Sequence, residues 1–353
     1  MANIMITDAC NLRCPYCFAN EFVNRDHSEI TVDAFEKAVN FIVDDGSEKS
    51  LGIIGGEPTL HSKFDYLMRK ILCDQRIRSV TVFTNGILLD RYWDVLTHPK
   101  VHLLINCNSP RDMGEHNYQR LCSNLKTLFC QKLRTDCVHL GINMYRPDFE
   151  YEYMLDLLTR FSLDSVRVSV SVPNINNNHN IDPHAYFNSM KPRVLEFFIR
   201  LLENNVVPNY DCNKIPLCLI TQGELIQFSR FFDNPVVAPK IEESSIFSPF
   251  VRCSPVIDIL QDLSVVRCFG LSEYTRQKIS DFSGIQELSA FYSREIDSYA
   301  YNTIYSTQCL DCYHRKVMKC TGGCLAYKID TILATKQYAE NVMRGVLPQQ
   351  YPC

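Results

Sequence analysis

The sequence predicts an α/β fold: a partial (β/α)6 barrel of the TIM type, followed by a cysteine-rich carboxy-terminal extension. Three observations carry this reading. Short apolar runs alternate with amphipathic helical segments across residues 1–205; the runs end in small or polar residues; and beyond residue 206 the composition shifts toward cysteine and proline. Strands separated by helices imply parallel βαβ units wound right-handed. Six units make an incomplete barrel open on one side. Residues 206–250 then read as a bridging segment and 251–353 as the extension.

The first run, Ile4-Met5-Ile6-Thr7, leads straight into a C-x3-C-x2-C loop formed by Cys10, Cys14 and Cys17, with Tyr16 before the last cysteine. Thr31 is the expected N-cap of the first helix, which carries Phe35, Val39, Phe41 and Ile42 on or near one face. The second strand, Ser50 to Ile54, ends in Gly55-Gly56-Glu57-Pro58. Two glycines allow backbone to approach a ligand closely, and Glu57 offers a carboxylate to an ammonium group. A strand-to-helix turn that needs glycine is the structural alternative.

Helix Phe64–Cys73 precedes a third strand, Val80–Phe83, which ends in Thr84-Asn85-Gly86. The fourth strand, Val101–Ile105, ends in Asn106, Cys107, Asn108 and Ser109. Cys137–Met144 and Val166–Val172 follow as the fifth and sixth strands, each after a helical segment. An asparagine-rich connection over 174–183 reads as a solvated loop or a lid over substrate, and Pro192–Leu202 as the sixth helix.

In such barrels ligands sit at the carboxyl ends of the strands. That rule selects Cys10 to Cys17, Gly55 to Glu57, Thr84 to Gly86, Asn106 to Ser109, Asn143 and Ser169 to Ser171. Any one of the polar residues could instead cap the next helix. Cys107 is a weak candidate for a hydrogen donor or acid in the pocket. Three thiolates in one short loop are informative. Structural zinc takes four protein ligands, whereas an iron–sulfur cube held by three cysteines keeps one iron free for a substrate.

On the Cys10, Cys14, Tyr16, Cys17 pattern and the Gly55-Gly56-Glu57-Pro58 segment, the chain resembles the radical S-adenosylmethionine (SAM) enzymes. The resemblance implies a 4Fe–4S cluster on Cys10, Cys14 and Cys17, whose open iron binds S-adenosyl-L-methionine. Reduction then yields a 5'-deoxyadenosyl radical. It further implies that the 55–57 segment takes the cosubstrate's amino group. Polar residues such as Asn106, Asn108 and Ser109 would hold its ribose and carboxylate. Tyr16, Thr84, Asn85, Asn143 and Ser169 complete the expected cofactor-binding set.

Seven cysteines punctuate the extension: Cys253, Cys268, Cys309, Cys312, Cys320, Cys324 and Cys353. Their spacing resembles the SPASM extension of radical SAM enzymes, with two departures. Leu263 stands where that pattern has glycine, and seven residues rather than five separate Cys312 from Cys320. Carried over by position, Cys253, Cys268 and Cys324 would ligate an inner auxiliary 4Fe–4S cluster. Cys309, Cys312, Cys320 and Cys353 would ligate an outer one. The inner set has only three cysteines. Its fourth position is either open or filled by another group, with Cys212 and Cys218 nearest in sequence. Taken alone, the Cys309–Cys324 block also suits a zinc ribbon.

The chain has 353 residues, 36 basic and 40 acidic, so no basic surface points to nucleic acid or anionic membrane. No apolar run reaches membrane-spanning length and no export signal precedes the first strand, which predicts a cytoplasmic protein. Seventeen cysteines in a reducing compartment favour metal over disulfides. Cys73, Cys107, Cys122, Cys130 and Cys137 read mostly as packing thiols.

Radical enzymes with this extension mostly modify peptides or protein side chains after translation, by thioether, carbon–carbon or carbon–oxygen links, epimerisation or oxidation to formylglycine. The expected function is therefore net two-electron oxidation of a peptide or protein side chain, such as a thioether or carbon–carbon link in a ribosomal peptide. A formylglycine-forming sulfatase maturase and a dehydrogenase of a small-molecule alcohol are the enzymatic alternatives, and an iron–sulfur scaffold the non-enzymatic one. Expected partners are a peptide or protein substrate and an external flavodoxin- or ferredoxin-type electron donor. The cluster loop begins too early for an amino-terminal leader-binding module, so the expectation is that either a separate leader-binding protein supplies that grip or leader recognition happens elsewhere.

Overall fold

A computed structural model describes residues 2–344, apart from 45, 133–135, 172–181, 245, 247, 249–250, 252, 254–255, 273, 301–302, 304–306 and 319. Cys353 and most of the asparagine-rich connection lie outside the described residues.

The six expected strands are β1 (Ala2–Met5), β2 (Lys49–Ile54), β3 (Ile77–Thr84), β4 (Val101–Asn106), β5 (Val138–Met144) and β6 (Ser165–Val170), all parallel. The helices between them are α1 (Val32–Ile42), α2 (Phe64–Cys73), α3 (Trp93–Leu96), α4 (Pro110–Met113), α5 (Glu115–Cys130), α6 (Glu152–Arg160) and α7 (Pro183–Glu203). Thr31 caps α1, its side chain accepting from the Ala34 amide at 3.2 Å. Helix α7 starts well before the expected Pro192. Asp182 caps it, Pro183 fills its first turn, and Pro192 lies inside. The earlier proline supplies the fixed φ that a helix start favours. The later one gives up a single helical hydrogen bond while Phe187, Val194, Phe197 and Phe198 stay buried along the helix.

The sheet does not stop at six strands. β7 (Val207–Tyr210) adds in parallel beside β6, where the bridging segment was expected to begin. At the other edge β8 (Ile257–Ile259), from the extension, pairs in parallel with β1. β9 (Ser264–Val266) and β10 (Gln277–Lys278) continue antiparallel, giving the order β10-β9-β8-β1-β2-β3-β4-β5-β6-β7. The extension is thus hydrogen-bonded into the barrel sheet.

Two apolar clusters follow from the period-two alternation of strands. On one face Ile4, Ile53, Val82, Leu103 and Ile105 pack with Phe35, Val39, Leu67 and Met68 of the helices in the main core. On the other, Met5, Ile54, Leu260, Val266 and Phe269 form a second cluster, with Phe83, Phe22 and Cys17 against it. The β4–β6 part of that face is polar instead, carrying Asn106, Asn143, Arg167 and Ser169. Among the described residues no helix is long and apolar enough to cross a membrane.

Candidate active site

The thiol loop is fastened on both sides by backbone. The Gly56 amide donates to Thr7 O and the Glu57 amide to Ala9 O, each at 2.8 Å. A Cβ on Gly56 would lie 2.4 Å from Ala9 O, and one on Gly55 would lie 2.8 Å from Thr7 O. These glycines therefore let the 55–57 turn and the start of the thiol loop touch backbone to backbone. On the other side the Cys10 amide donates to Asn24 Oδ1 at 2.8 Å and the Asn24 amide to Asp8 O at 2.8 Å.

Cys10, Cys14 and Cys17 are all half-buried, and each lies within electrostatic reach of another. Burial pushes the Cys10 thiol up to about 12 and Cys17 to about 11, and raises Cys14 as well. The sulfurs do receive hydrogen bonds: Leu12 N–H to Cys10 Sγ at 3.4 Å and Asn108 Nδ2 to Cys14 Sγ at 3.1 Å. Tyr16 donates its hydroxyl to Asn108 Oδ1, and its ring lies 5.2 Å from that of Tyr145.

Glu57 is 1% exposed. Its carboxylate accepts from the Thr59 hydroxyl at 2.6 Å, the Thr84 hydroxyl at 2.7 Å, the Asn85 amide at 2.8 Å and the Thr59 amide at 3.2 Å. Four donors match the acceptor capacity of a carboxylate. Glu57 thus ties the turn after β2 to the end of β3 rather than standing open to an ammonium, and burial raises its pKa despite those bonds. Asn85 reaches the cysteine loop through Asn11, Nδ2 to Oδ1 at 2.7 Å.

On the polar wall Arg167 was not singled out from sequence. Its Nη1 donates to Asn143 Oδ1 at 2.9 Å and Asn106 Oδ1 at 3.4 Å, while its Nη2 pairs with Asp211 at 2.7 Å. The available signal was a lone arginine at an alternate position of the run Ser165-Val166-Arg167-Val168-Ser169-Val170. Tyr145, which donates to Asp112 at 2.9 Å, was also missed. Ser109 caps α4, accepting from the Asp112 amide at 3.3 Å, and Ser169 donates to Cys212 O at 3.0 Å. Cys107 is 1% exposed in the main core, its thiol raised by burial. The alternation that aims Asn106 at Arg167 turns Cys107 to the opposite face, so it is no pocket residue.

The other thiols divide into two groups. Cys253, Cys268 and Cys324 converge, and Cys212 joins them, each within electrostatic reach of others in the set. The buried Arg267 donates to Cys253 Sγ at 3.5 Å and to Cys253 O at 3.0 Å, and pairs with Asp297 at 2.6 Å. A hydrogen bond from Cys324, together with the Arg267 charge, holds Cys253 well below the usual thiol range although it is buried. Cys309, Cys312 and Cys320 form the second group, with Cys218 beside it. Cys73 and Cys130 are exposed on their helices rather than packed.

Among the described residues no three His, Cys, Asp or Glu side chains draw close enough to hold a single metal ion. Thiols occurring in sets, with N–H groups aimed at sulfur, suit an iron–sulfur cluster. The loop offers three thiols, which fits a cluster with one open position.

Residues 4–158 match the Radical SAM superfamily model. A GTP 3',8-cyclase of Alkaliphilus oremlandii is 38% identical over 95 residues, 26% of this chain and 29% of that protein. The chain thus spans less than a third of that relative's length. Two solved structures share the fold across nearly the whole chain. SuiB of Streptococcus suis, bound to S-adenosylmethionine, has a TM-score of 0.61 at 16% identity, covering 93% of this chain and 73% of SuiB. The anSMEcpe protein with bound AdoMet has a TM-score of 0.60 at 16% identity, covering 98% of each chain. The barrel and the cysteine-rich extension both fall within these matches.

Proposed function

We propose that the protein, whose residues 4–158 match the Radical SAM superfamily model, cleaves S-adenosyl-L-methionine reductively and uses the product to oxidise a residue of a peptide or protein. Cys10, Cys14 and Cys17 would hold the 4Fe–4S cluster, and the turn at 55–57 with Asn85, Asn106, Asn108 and Asn143 would receive the cosubstrate. Bound there, these groups supply one-electron reduction of a sulfonium, chemistry that no side chain offers. The chain's own part is to position and to shield. Asn108 holds Cys14 and Tyr16 together, Glu57 locks the turn beside the loop, and Arg167 orients Asn106 and Asn143.

The observation that carries this reading is the meeting of the three-thiol loop with the 55–57 turn through paired backbone hydrogen bonds. The peptide substrate rests on less. SuiB, of like fold, has been solved with its precursor peptide SuiA, and the barrel here has an open flank. Cys212, Cys253, Cys268 and Cys324 would hold an inner auxiliary cluster, and Cys309, Cys312 and Cys320 take part in an outer one. A flavodoxin- or ferredoxin-type protein would supply electrons.

The test is 5'-deoxyadenosine release by the anaerobically reconstituted, reduced protein, read beside the mass shift of candidate peptides. Cys14→Ala should lower release at least about 100-fold, at the upper end of what lost metal-site interactions cost. Cys312→Ala should keep measurable release and yield no modified peptide. Equal loss of both in the two variants would defeat the division of labour between loop and tail.

A further inference from the structure

We propose that Arg167 is a positioning residue for the cluster loop: it fixes the direction of a side-chain hydrogen-bond path that ends on the Cys14 sulfur. The proposal rests on the reading of Cys10, Cys14 and Cys17 as cluster ligands, and adds a residue of β6 to the machinery that holds them.

Strand register prepares the arrangement. Asn106 of β4, Gly141 of β5 and Arg167 of β6 are neighbours in one row across the sheet. Gly141 keeps that row open, because a Cβ on it would lie 3.1 Å from Arg167 Cδ and 3.2 Å from Asn106 Oδ1. The arginine can thus cross β5 and reach two asparagines, donating from Nη1 to Asn143 Oδ1 at 2.9 Å and to Asn106 Oδ1 at 3.4 Å. Its other side is anchored, with Nε and Nη2 donating to Asp211 Oδ2 at 2.9 and 2.7 Å.

From Asn143 the path runs on toward the loop. The Asn143 side chain hydrogen-bonds the Tyr16 hydroxyl, and Tyr145, next on the same face, packs its ring 5.2 Å from that of Tyr16. Tyr16 donates to Asn108 Oδ1, and Asn108 Nδ2 donates to Cys14 Sγ at 3.1 Å. Side chains from β6, β5, the loop and the end of β4 therefore form one route to a sulfur.

Its direction follows from donor chemistry. Arginine has only N–H donors and no acceptor, so the Asn143 oxygen must face it and the Asn143 amide nitrogen is left for Tyr16. Tyr16 gives its one proton to Asn108 Oδ1, which leaves the Asn108 nitrogen for Cys14. Amides and a hydroxyl alone could run either way. With arginine at the head, the path has one sense, and it ends in N–H to sulfur. Such a bond stabilises the more negative, reduced form of a cluster and so raises its potential.

The test is the potential of the loop cluster, measured without cosubstrate in the full-length, anaerobically reconstituted protein. Its EPR signal is the one that Cys14→Ala removes. Arg167→Met should lower the reduction equilibrium about tenfold, which is about 59 mV for one electron. Asn143→Ala breaks the path while leaving the Arg167–Asp211 pair in place, and should reproduce that shift. Arg167→Met added to Asn108→Ala should move the potential no further than Asn108→Ala alone. An unmoved potential in either single variant, whatever its melting temperature, would reduce Arg167 to a structural role and overturn the proposal, as would additive shifts in the double variant. A parent without any signal that Cys14→Ala removes would overturn the reading of the loop itself.

Discussion

At the mouth of the barrel Cys10, Cys14 and Cys17 are surrounded by neutral donors, the Leu12 amide and the Asn108 side chain. In the tail Cys253 lies 3.5 Å from the guanidinium of Arg267, which is 0% exposed. Lys328, 3% exposed, is held by Ala300 O at 2.8 Å and Thr303 O at 3.4 Å, and its charge reaches Cys253, Cys309 and Cys320. The two regions solve one electrostatic problem differently. Burying a thiolate is expensive unless a positive charge compensates it. The tail carries the buried guanidinium of Arg267, whereas the described donors to the loop sulfurs are neutral, and a bound metal would supply the charge missing there. Thiolate formation in the loop would then be coupled to metal loading and to proton release, and at Cys253 much less so.

The largest expected effect comes from removing the tail's cation. Arg267→Met leaves Asp297 and Cys253 facing each other without compensation, and should cost about 3–5 kcal/mol in urea unfolding of the metal-free chain. Arg267→Lys should recover part of it. An unchanged midpoint for Arg267→Met would break the comparison.

The seam between the regions comes next. Asp258 on β8 accepts from Asn3 Nδ2 on β1 at 2.7 Å, and burial raises its carboxyl from 3.8 to about 7. An acid raised in the fold stays protonated while the unfolded chain ionises. Stability is then fully present below about pH 4 and is lost as pH rises through about 7. Asp258→Asn should remove that slope and stabilise the chain above pH 7 by up to about 4 kcal/mol, at about 1.4 kcal/mol per unit. A parent whose stability is flat between pH 4 and 7 contradicts the assignment.

In the loop, where dipoles stand in for cations, Asn108→Ala removes the donor to Cys14 and the acceptor for Tyr16. Iron retention against a chelator should fall about 10–100-fold, the range for lost outer-shell hydrogen bonds. The smallest expected change is Asn24→Ala. It loses the 2.8 Å bond from the Cys10 amide and sets alanine at φ +54°, and should cost about 1–2 kcal/mol in thermal melts. Loss of all loop iron on that change alone would mean that the backbone anchor, rather than the sulfurs' donors, governs the site.

Much of the barrel was legible because its signals are local. The apolar runs, the Thr31 cap and the C-x3-C-x2-C spacing are each contained within a dozen or so residues. Pro192 misled because a proline at a helix start and one inside a helix look alike until the Asp182 cap is seen. Glu57 pointed toward a ligand by its motif, but its partners Thr84 and Asn85 arrive from the next strand. Cys107 followed a strand end correctly and still faced the wrong way, since one residue of register reverses the side.

What the amino-acid order determined by itself is a parallel α/β barrel with a three-thiol loop at its first strand and a cysteine-rich tail. Hydrophobic period and cysteine spacing are properties of neighbouring residues and survive without a fold. Only the tertiary structure decided that β8 pairs with β1 and that Arg267 lies buried against Cys253. Those facts join residues far apart in the chain. Which sulfur meets which cation depends on sheet order and packing, and no spacing rule encodes either.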